Sequence, residues 1–376
     1  MLISSSDNIG ADAMPDEAMT SPPPDAPRPI LQIINSPDPG GVLALADSIA
    51  EGLAPRGFAV ETLFLTPQPD MSPWAKIKGA LRAGQVIIQR RHRGVIAYQA
   101  WPSIVVGLAG LVSRRRDLVV HQTTVPSATK APLRYLSRLL GTVGLYPVNI
   151  VNTGFTQSLF DHYSPAYRRH LRLIEHGVPR PRVRRSRAET LQRHGIPATG
   201  RILLNTARLV LEKNQDTIIR ALPSLPDCQL VVAGDGASRA EFQALADQLE
   251  VADRVHLLGA LPHQDAIDLY GAADVFVFPS EHETFGISAV EAALLALPTL
   301  AADISVLREV LTIDGRSTAR FVGPRDVEGW VMALREWGES PPPLAERQAF
   351  ADRLAERYSE RRMIDAYAEL LSQPRR

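Results

Sequence analysis

Residues 274–292 read DVFVFPSEHETFGISAVEA, and the fold follows from how this run divides. Val275 to Phe278 form a short, unbroken apolar run, the pattern of a strand buried on both faces of a parallel sheet. A polar exit loop follows, and from Ile287 the run ISAVEAALLAL takes on helical character. Strand, loop and helix in this order place the backbone N–H groups of Phe285 to Ser288, and the positive end of a helix dipole, beyond the carboxyl end of a strand. Such a terminus can hold a diphosphate or sugar oxygens. Two carboxylates flank it. Glu283 lies in the loop, and Glu291 stands one to two turns into the helix, where it can accept two hydrogen bonds from a ribose diol. Taken alone, the pair is also explained by an acid complementing the dipole and a solvated helix residue.

The same alternation runs along the whole chain from Ile30. ILQIINS, AVETLFL, GVIAYQ, DLVVHQ, YPVNIVN and LRLIEHG read as strands in the first half, and RILLNTA, CQLVVAG, RVHLLGA, DVFVFPS, LPTLAAD and TARFVG in the second. Helical patterns lie between them, so each half is an α/β unit with a parallel sheet covered on both faces. Ser72–Arg91 is helical in pattern, although its QVIIQ could pass as a strand. The expectation is two doubly wound, Rossmann-like domains facing across a cleft: 30–178, a linker at 179–187 within the Pro- and Arg-rich GVPRPRVRRSR, and 188–355. A C-terminal helix at 356–376 returns to the first domain. The linker has no apolar period, so hinge motion is expected, with a bound diphosphate as the bridge between the domains.

Composition limits the classes of function. The chain has 376 residues and a single cysteine, Cys228, which excludes an intrachain disulfide and a cysteine-based zinc site and fits a reducing, cytoplasmic compartment. Residues 1–29 lack a basic start and an apolar core, and read as a disordered tail rather than a signal peptide. Gly94–Ser113 carries no charge, but Gln99, Trp101 and Pro102 interrupt it, which favours a strand and a helix over Ser103–Val112 rather than a membrane span. Net charge is zero, yet between Met71 and Arg187 there are 20 Lys and Arg against 3 Asp and Glu, and the rest of the chain holds the opposite surplus. One half should therefore meet something anionic.

Other strand exits supply candidate ligands. TARLVLEKNQ places Arg208 and Lys213 after the first strand of the second half, where fixed cations can bind a diphosphate and stabilise it as it leaves. VVAGDG adds a tight turn at Gly234 and Gly236. These pieces, with ETFGISAVEA and DVFVFPS, in this order and at these separations, resemble the retaining family 4 glycosyltransferases of the GT-B fold and their Glu-x7-Glu signature. In the first half PDPGGV resembles that family's glycine loop, VVHQTTVPSATK the loop carrying its cleft histidine, and LIEHGVP the turn before its linker.

The resemblance implies a nucleotide-diphosphate sugar as substrate; no cofactor is expected, and no metal, because the structured region has no Asp-x-Asp motif and cations can replace a metal at the diphosphate. Arg208 and Lys213 would hold the diphosphate and Glu291 the ribose. Glu283 and the Phe285, Gly286 and Ile287 backbone would hold the transferring sugar, with His121 reaching it from across the cleft. Gly40 and Gly41 would let the first-domain backbone approach donor and acceptor, although a plain strand-to-helix turn explains the same pair. The sequence departs from the family pattern at Ala207, Leu297 and Ile304-Ser305, where glycines are usual. The expected reaction is retaining transfer to a glycan or lipid-linked acceptor by front-face substitution, the leaving diphosphate taking the acceptor's proton. The alternative is a catalytically idle subunit that binds nucleotide or scaffolds a glycan-assembly complex. A nicotinamide-dependent oxidoreductase is disfavoured because no G-x-G-x-x-G follows the first strand.

The basic surplus concentrates in two amphipathic stretches. Trp74, Ile77 and Leu81 recur beside Lys76, Lys78 and Arg82; Leu133, Leu136, Leu139 and Leu140 stand among Lys130, Arg134 and Arg138, with Tyr135 as an aromatic anchor. They could lie on an anionic membrane surface, giving a peripheral position on its inner face, or pack on their own sheet. No nucleic-acid-binding motif accompanies them, and nucleic acid is not an expected partner.

Overall fold

The computed structural model describes residues 28–37, 40–68 and 71–373, except the side chains of 338 and 339. Residues 1–27 of the expected tail, and Asp38 and Pro39 of the PDPGGV loop, lie outside the described residues. Strands β1 (Ile30–Ile34), β2 (Val60–Phe64), β3 (Gly94–Tyr98), β4 (Leu118–His121), β5 (Val148–Val151) and β6 (Leu171–Leu173) form one sheet. All its pairings are parallel, in the order β2-β1-β3-β4-β5-β6. The helices between them are α1 (Gly41–Leu53), α2 (Pro73–Ile88), α3 (Ala100–Ser113), α4 (Ala131–Thr142) and the short α5 (Gly154–Ser158) and α6 (Pro165–Arg168).

β1 shows why its run is apolar throughout. Leu31 and Ile33 pack towards α2 and α3, while Ile30 and Ile34 pack towards α1 on the other face. Its one polar residue, Gln32, is buried and satisfied, donating to the Ala46 carbonyl at 2.9 Å and accepting from the Tyr98 hydroxyl. QVIIQ is helical: Ser72 caps α2 by accepting from Ala75 N at 3.2 Å, Pro73 opens the first turn, and Ala83 and Ile87 supply a buried stripe at i, i+4. α3 starts at Ala100, three residues before the expected Ser103. Pro102 falls in its first turn, where the missing N–H would have had no helical partner. No helix among the described residues is long and apolar enough to cross a membrane.

The second sheet holds β7 (Arg201–Thr206), β8 (Cys228–Ala233), β9 (Val255–Gly259), β10 (Val275–Phe278), β11 (Thr299–Ala302) and β12 (Arg320–Val322), in the order β12-β11-β10-β7-β8-β9. Its helices are α7 (Arg187–Arg193), α8 (Gln215–Ala221), α9 (Arg239–Gln248), α10 (His263–Ala272), α11 (Ile287–Leu294), α12 (Ser305–Val310) and α13 (Val327–Glu339). The order reverses between β7 and β10, and ligands of open parallel sheets bind at such a switch point, beyond the carboxyl ends. The exit loops of those two strands carry Arg208, Lys213 and Glu283. After α14 (Leu344–Arg357), α15 (Glu360–Ser372) crosses to the first domain, where Met363, Ile364 and Tyr367 join the core beneath α1.

The linker departs from its expected looseness. Val178 is buried in the second domain's core, and Arg187 is already the first residue of α7, whose cap is a Ser186–Glu189 capping box. Asp268, fully buried, accepts from Arg184 N and from the Arg185 guanidinium, each at 2.7 Å, and these bonds hold its carboxyl below the usual range despite burial. The domains also touch directly, which corrects the expectation that a diphosphate alone would bridge them. The Glu309 carboxylate of α12 accepts from Gly154 N and Phe155 N at the start of α5, at 2.7 and 2.6 Å, and the Thr156 hydroxyl donates to the Thr284 carbonyl at 3.3 Å.

Candidate active site

The residues singled out at the β7 and β10 exits come together. Lys213 Nζ lies 2.6 Å from Glu283 Oε1, with both side chains about one-seventh exposed at 13% and 14%. Lys213 is thus a held cation. Arg208 is not: it stands on the rim, 65% exposed, with only Glu212 at 3.6 Å. The two expected diphosphate ligands therefore differ, one fixed and one free to swing.

Gly286 starts α11 in the left-handed region, at φ 87°, and a Cβ there would come within 2.7 Å of Leu307. Only glycine takes both demands without strain. The turn sets the start of α11 at the domain boundary, where Ile287 Cδ1 stands 3.6 Å from the position a Gly41 Cβ would take. No atom of the described residues lies within 4 Å of a Cβ at Gly40, and packing among those residues demands neither glycine. Phe285 is buried, edge-on to His176 and to Tyr358 with ring centroids at 4.9 Å in each case. An aromatic contact from the first domain thus pins the loop that carries Glu283.

Glu291 is not a solvated helix residue. Its side chain is 12% exposed, and its oxygens meet His263 Nε2 and the Tyr270 hydroxyl, both at 3.1 Å. The Tyr270 hydroxyl is also 2.7 Å from Thr206 Oγ1 at the end of β7, which ties Glu291 to the switch point. The Glu291 bond raises the His263 pKa above its ordinary value.

Across the boundary, His121 ends β4 and is buried, with Nδ1 3.0 Å from the Tyr367 hydroxyl and, among the described residues, no partner at Nε2. Burial keeps Tyr367 protonated, so its hydroxyl can donate to Nδ1 and leave the ring proton on Nε2 as a donor. Burial and the neighbouring His176, whose ring centroid is 5.5 Å away, hold the His121 pKa well below normal, so the imidazole is neutral. Gln99, at the β3 exit, has φ 69° and its own buried Oε1 without a partner. Sequence reasoning missed Tyr367, Tyr270 and His263, whose positions depend on tertiary packing. His176 could have been found, because LIEHGVP is a strand exit like the others.

The departures from the glycine pattern are absorbed locally. Gly234 brings its backbone against the Ala207 carbonyl, where a Cβ would overlap it, so Gly234 supplies the close approach at that turn. Leu297 and Ile304 pack against the second domain's core.

Burial lowers the His176 pKa to about 4. A histidine depressed when folded binds fewer protons there than in the unfolded chain, so its stabilisation is complete above about pH 6.5 and is lost as pH falls towards 4. We expect this group to remove about 3 kcal/mol over that range. Urea unfolding from about pH 7 to about pH 4.5 checks this: His176→Gln should flatten the decline, and an unchanged slope would contradict it.

Two doubly wound parallel domains meeting at their strand carboxyl ends define the GT-B architecture. Anabaena HepE in complex with UDP and glucose superposes with a TM-score of 0.77 at 20% identity, covering 92% of this chain and 99% of that one. Sucrose-phosphate synthase from Thermosynechococcus elongatus gives 0.73 at 19%, covering 91% and 98%. Both likenesses establish the fold. Residues 186–357 match the family described as Glycosyl transferases group 1, and the second domain belongs to that family. A D-inositol 3-phosphate glycosyltransferase of Xylanimonas cellulosilytica is 31% identical over 269 residues, 69% of this chain but 60% of that relative's length.

Proposed function

We propose that this chain is a retaining glycosyltransferase that moves a sugar from a nucleoside-diphosphate sugar to a glycan or lipid-linked acceptor bound on the first-domain side of the boundary. The observation that carries the reading is the meeting, at one topological switch point, of the Lys213–Glu283 pair, the start of α11 and the doubly hydrogen-bonded Glu291. Glu291 holds the ribose diol. The N–H groups at the start of α11, Lys213 and the exposed Arg208 hold the diphosphate.

In the reaction the bond from the anomeric carbon to the β-phosphate oxygen breaks, and the acceptor oxygen attacks from the same face. Its proton passes to the departing phosphate oxygen, so no protein base is used. Lys213, Arg208 and the α11 dipole stabilise the charge that develops on the leaving group. His121 and Glu283 contact the sugar, His121 through Nε2–H. We assign the leaving-group role to these cations rather than to a metal, and assign no resident cofactor. The buried Cys228 suits a cytoplasmic setting.

UDP- and GDP-sugars should raise the melting temperature, by several degrees at about 100 times Kd, with and without chelator. No response to any nucleoside-diphosphate sugar would refute the site. A response or a turnover that needs Mg2+ or Mn2+ would refute the leaving-group assignment.

A further inference from the structure

Helices α2, α3 and α4 pack side by side and cover one face of the first-domain sheet. Their inward sides fill the core, as expected of any doubly wound domain. Their outward sides are unlike those of a solvated layer. On α2, Trp74, Ile77, Leu81 and Ile88 are exposed on the side opposite the buried Ala83 and Ile87, with Trp74 at 77%. On α3, buried along most of its length, Leu108, Leu111 and Val112 emerge at the last turn. On α4 and its cap, Tyr135, Leu136, Leu139 and Val143 face outward, whereas Leu133 and Leu140 turn into the core, dividing the leucines that the sequence groups together.

These positions are eleven of the sixteen exposed large hydrophobics among the described residues, and none of the sixteen lies on α1 or α15, which cover the opposite face. The asymmetry separates a docking face from ordinary scattered exposure.

Charge identifies the occupant. The three helices contain no Asp or Glu. Lys76, Lys78 and Arg82 are exposed on α2, and Arg114 and Arg116 flank the end of α3. No side chain of these five takes part in a hydrogen bond or ion pair within the described residues. A solvated helical layer mixes both signs of charge; here apolar side chains and free cations alternate without a single anion. Arg134 and Arg138 are already engaged, over the Tyr135 ring at 5.7 Å and the Tyr163 ring at 4.5 Å, so they brace α4 rather than stand free.

We propose that the outward face of α2, α3 and α4 docks on an anionic lipid bilayer, its apolar side chains entering the headgroup boundary and its cations meeting lipid phosphates. Each helix begins where a strand's carboxyl end leaves off, so Trp74 and Tyr135, near the starts of α2 and α4, lie towards the domain boundary. Docking in this way brings the acceptor side of the proposed site to the membrane surface. The surface is separate from the nucleotide residues, and its argument does not depend on them.

The test is flotation of the full chain with vesicles of phosphatidylcholine alone or mixed with phosphatidylglycerol. Binding should appear on the mixed vesicles at ~0.05 M salt and fade by ~0.5 M, and be far weaker on phosphatidylcholine alone. The triple substitution Lys76→Gln, Lys78→Gln, Arg82→Gln should weaken it on the order of 100-fold. Trp74→Ala with Leu139→Ala should also weaken it. These side chains are exposed, so both variants should keep the wild-type melting temperature and its rise with UDP, which separates failure of this proposal from failure of the nucleotide site. No recovery with anionic vesicles, equal recovery with neutral ones, or variants that float like the wild type would overturn the proposal. So would a dimer dissolved by the same substitutions, which would give the face to a second copy of the chain.

Discussion

Lys213→Ala is expected to lower kcat by roughly 100- to 1000-fold, the effect of removing one fixed donor or cation from a developing oxyanion. The expectation rests on the difference between the two cations at the β7 exit. Lys213 is held by Glu283 at 2.6 Å, whereas Arg208 stands exposed on the rim beside Glu212 at 3.6 Å and would give up side-chain entropy to reach the same phosphate. Glu283→Ala should also lose turnover more than donor affinity, because it removes a sugar contact and releases Lys213 from its position. The single changes break the same ion pair, so the double variant should cost little more than the worse single. Single-turnover rates set beside donor Kd values decide this: a Lys213→Ala protein with normal turnover and only weaker donor binding would remove the leaving-group role.

Glu291→Ala should show the opposite split, weakening nucleotide binding by roughly 100-fold while kcat at saturating donor changes little. Two charge-assisted hydrogen bonds to a ribose diol are each worth about 1.5–3 kcal/mol and persist unchanged through the reaction, so they stabilise ground and transition states alike. His263 and Tyr270 both orient this carboxylate from α10, so His263→Ala should produce a smaller loss of the same kind. Titration calorimetry with UDP checks both. Normal affinity with lost turnover in Glu291→Ala would exchange its role with that of Glu283.

The parts of this arrangement that periodicity and order govern were legible in the sequence. All twelve strands form within the runs read as strands; the eight inner ones are buried on two faces along nearly their whole length, which leaves little else for such a run to do, while the edge strands β2, β6, β9 and β12 are only partly buried. The strand-to-helix turn at Gly286 was legible for the same reason. Helix starts were less so: α3 begins at Ala100 because Gln99 adopts a positive φ, which no residue pattern announces. The tertiary partners were not legible at all. Tyr367 reaches His121 from 246 positions away, and Glu309 caps α5 from 155. The linker read as loose because its arginines look solvated; Arg185 docks on Asp265 and Asp268, whose burial becomes visible only when α10 is in place, and Arg187 pairs with Asp274. That docking ties the linker to the second domain, and the Glu309 contact joins the two domains directly.

The measurement that tests the central claim most directly is the anomeric configuration of the sugar at early times, read by NMR as the chain cleaves or transfers it from a nucleoside-diphosphate sugar that it binds. Front-face departure, with Lys213 and the start of α11 drawing the diphosphate away on the side from which the acceptor oxygen enters, predicts the configuration of the donor. Inversion, or tight nucleotide binding with neither hydrolysis nor transfer, would contradict the account.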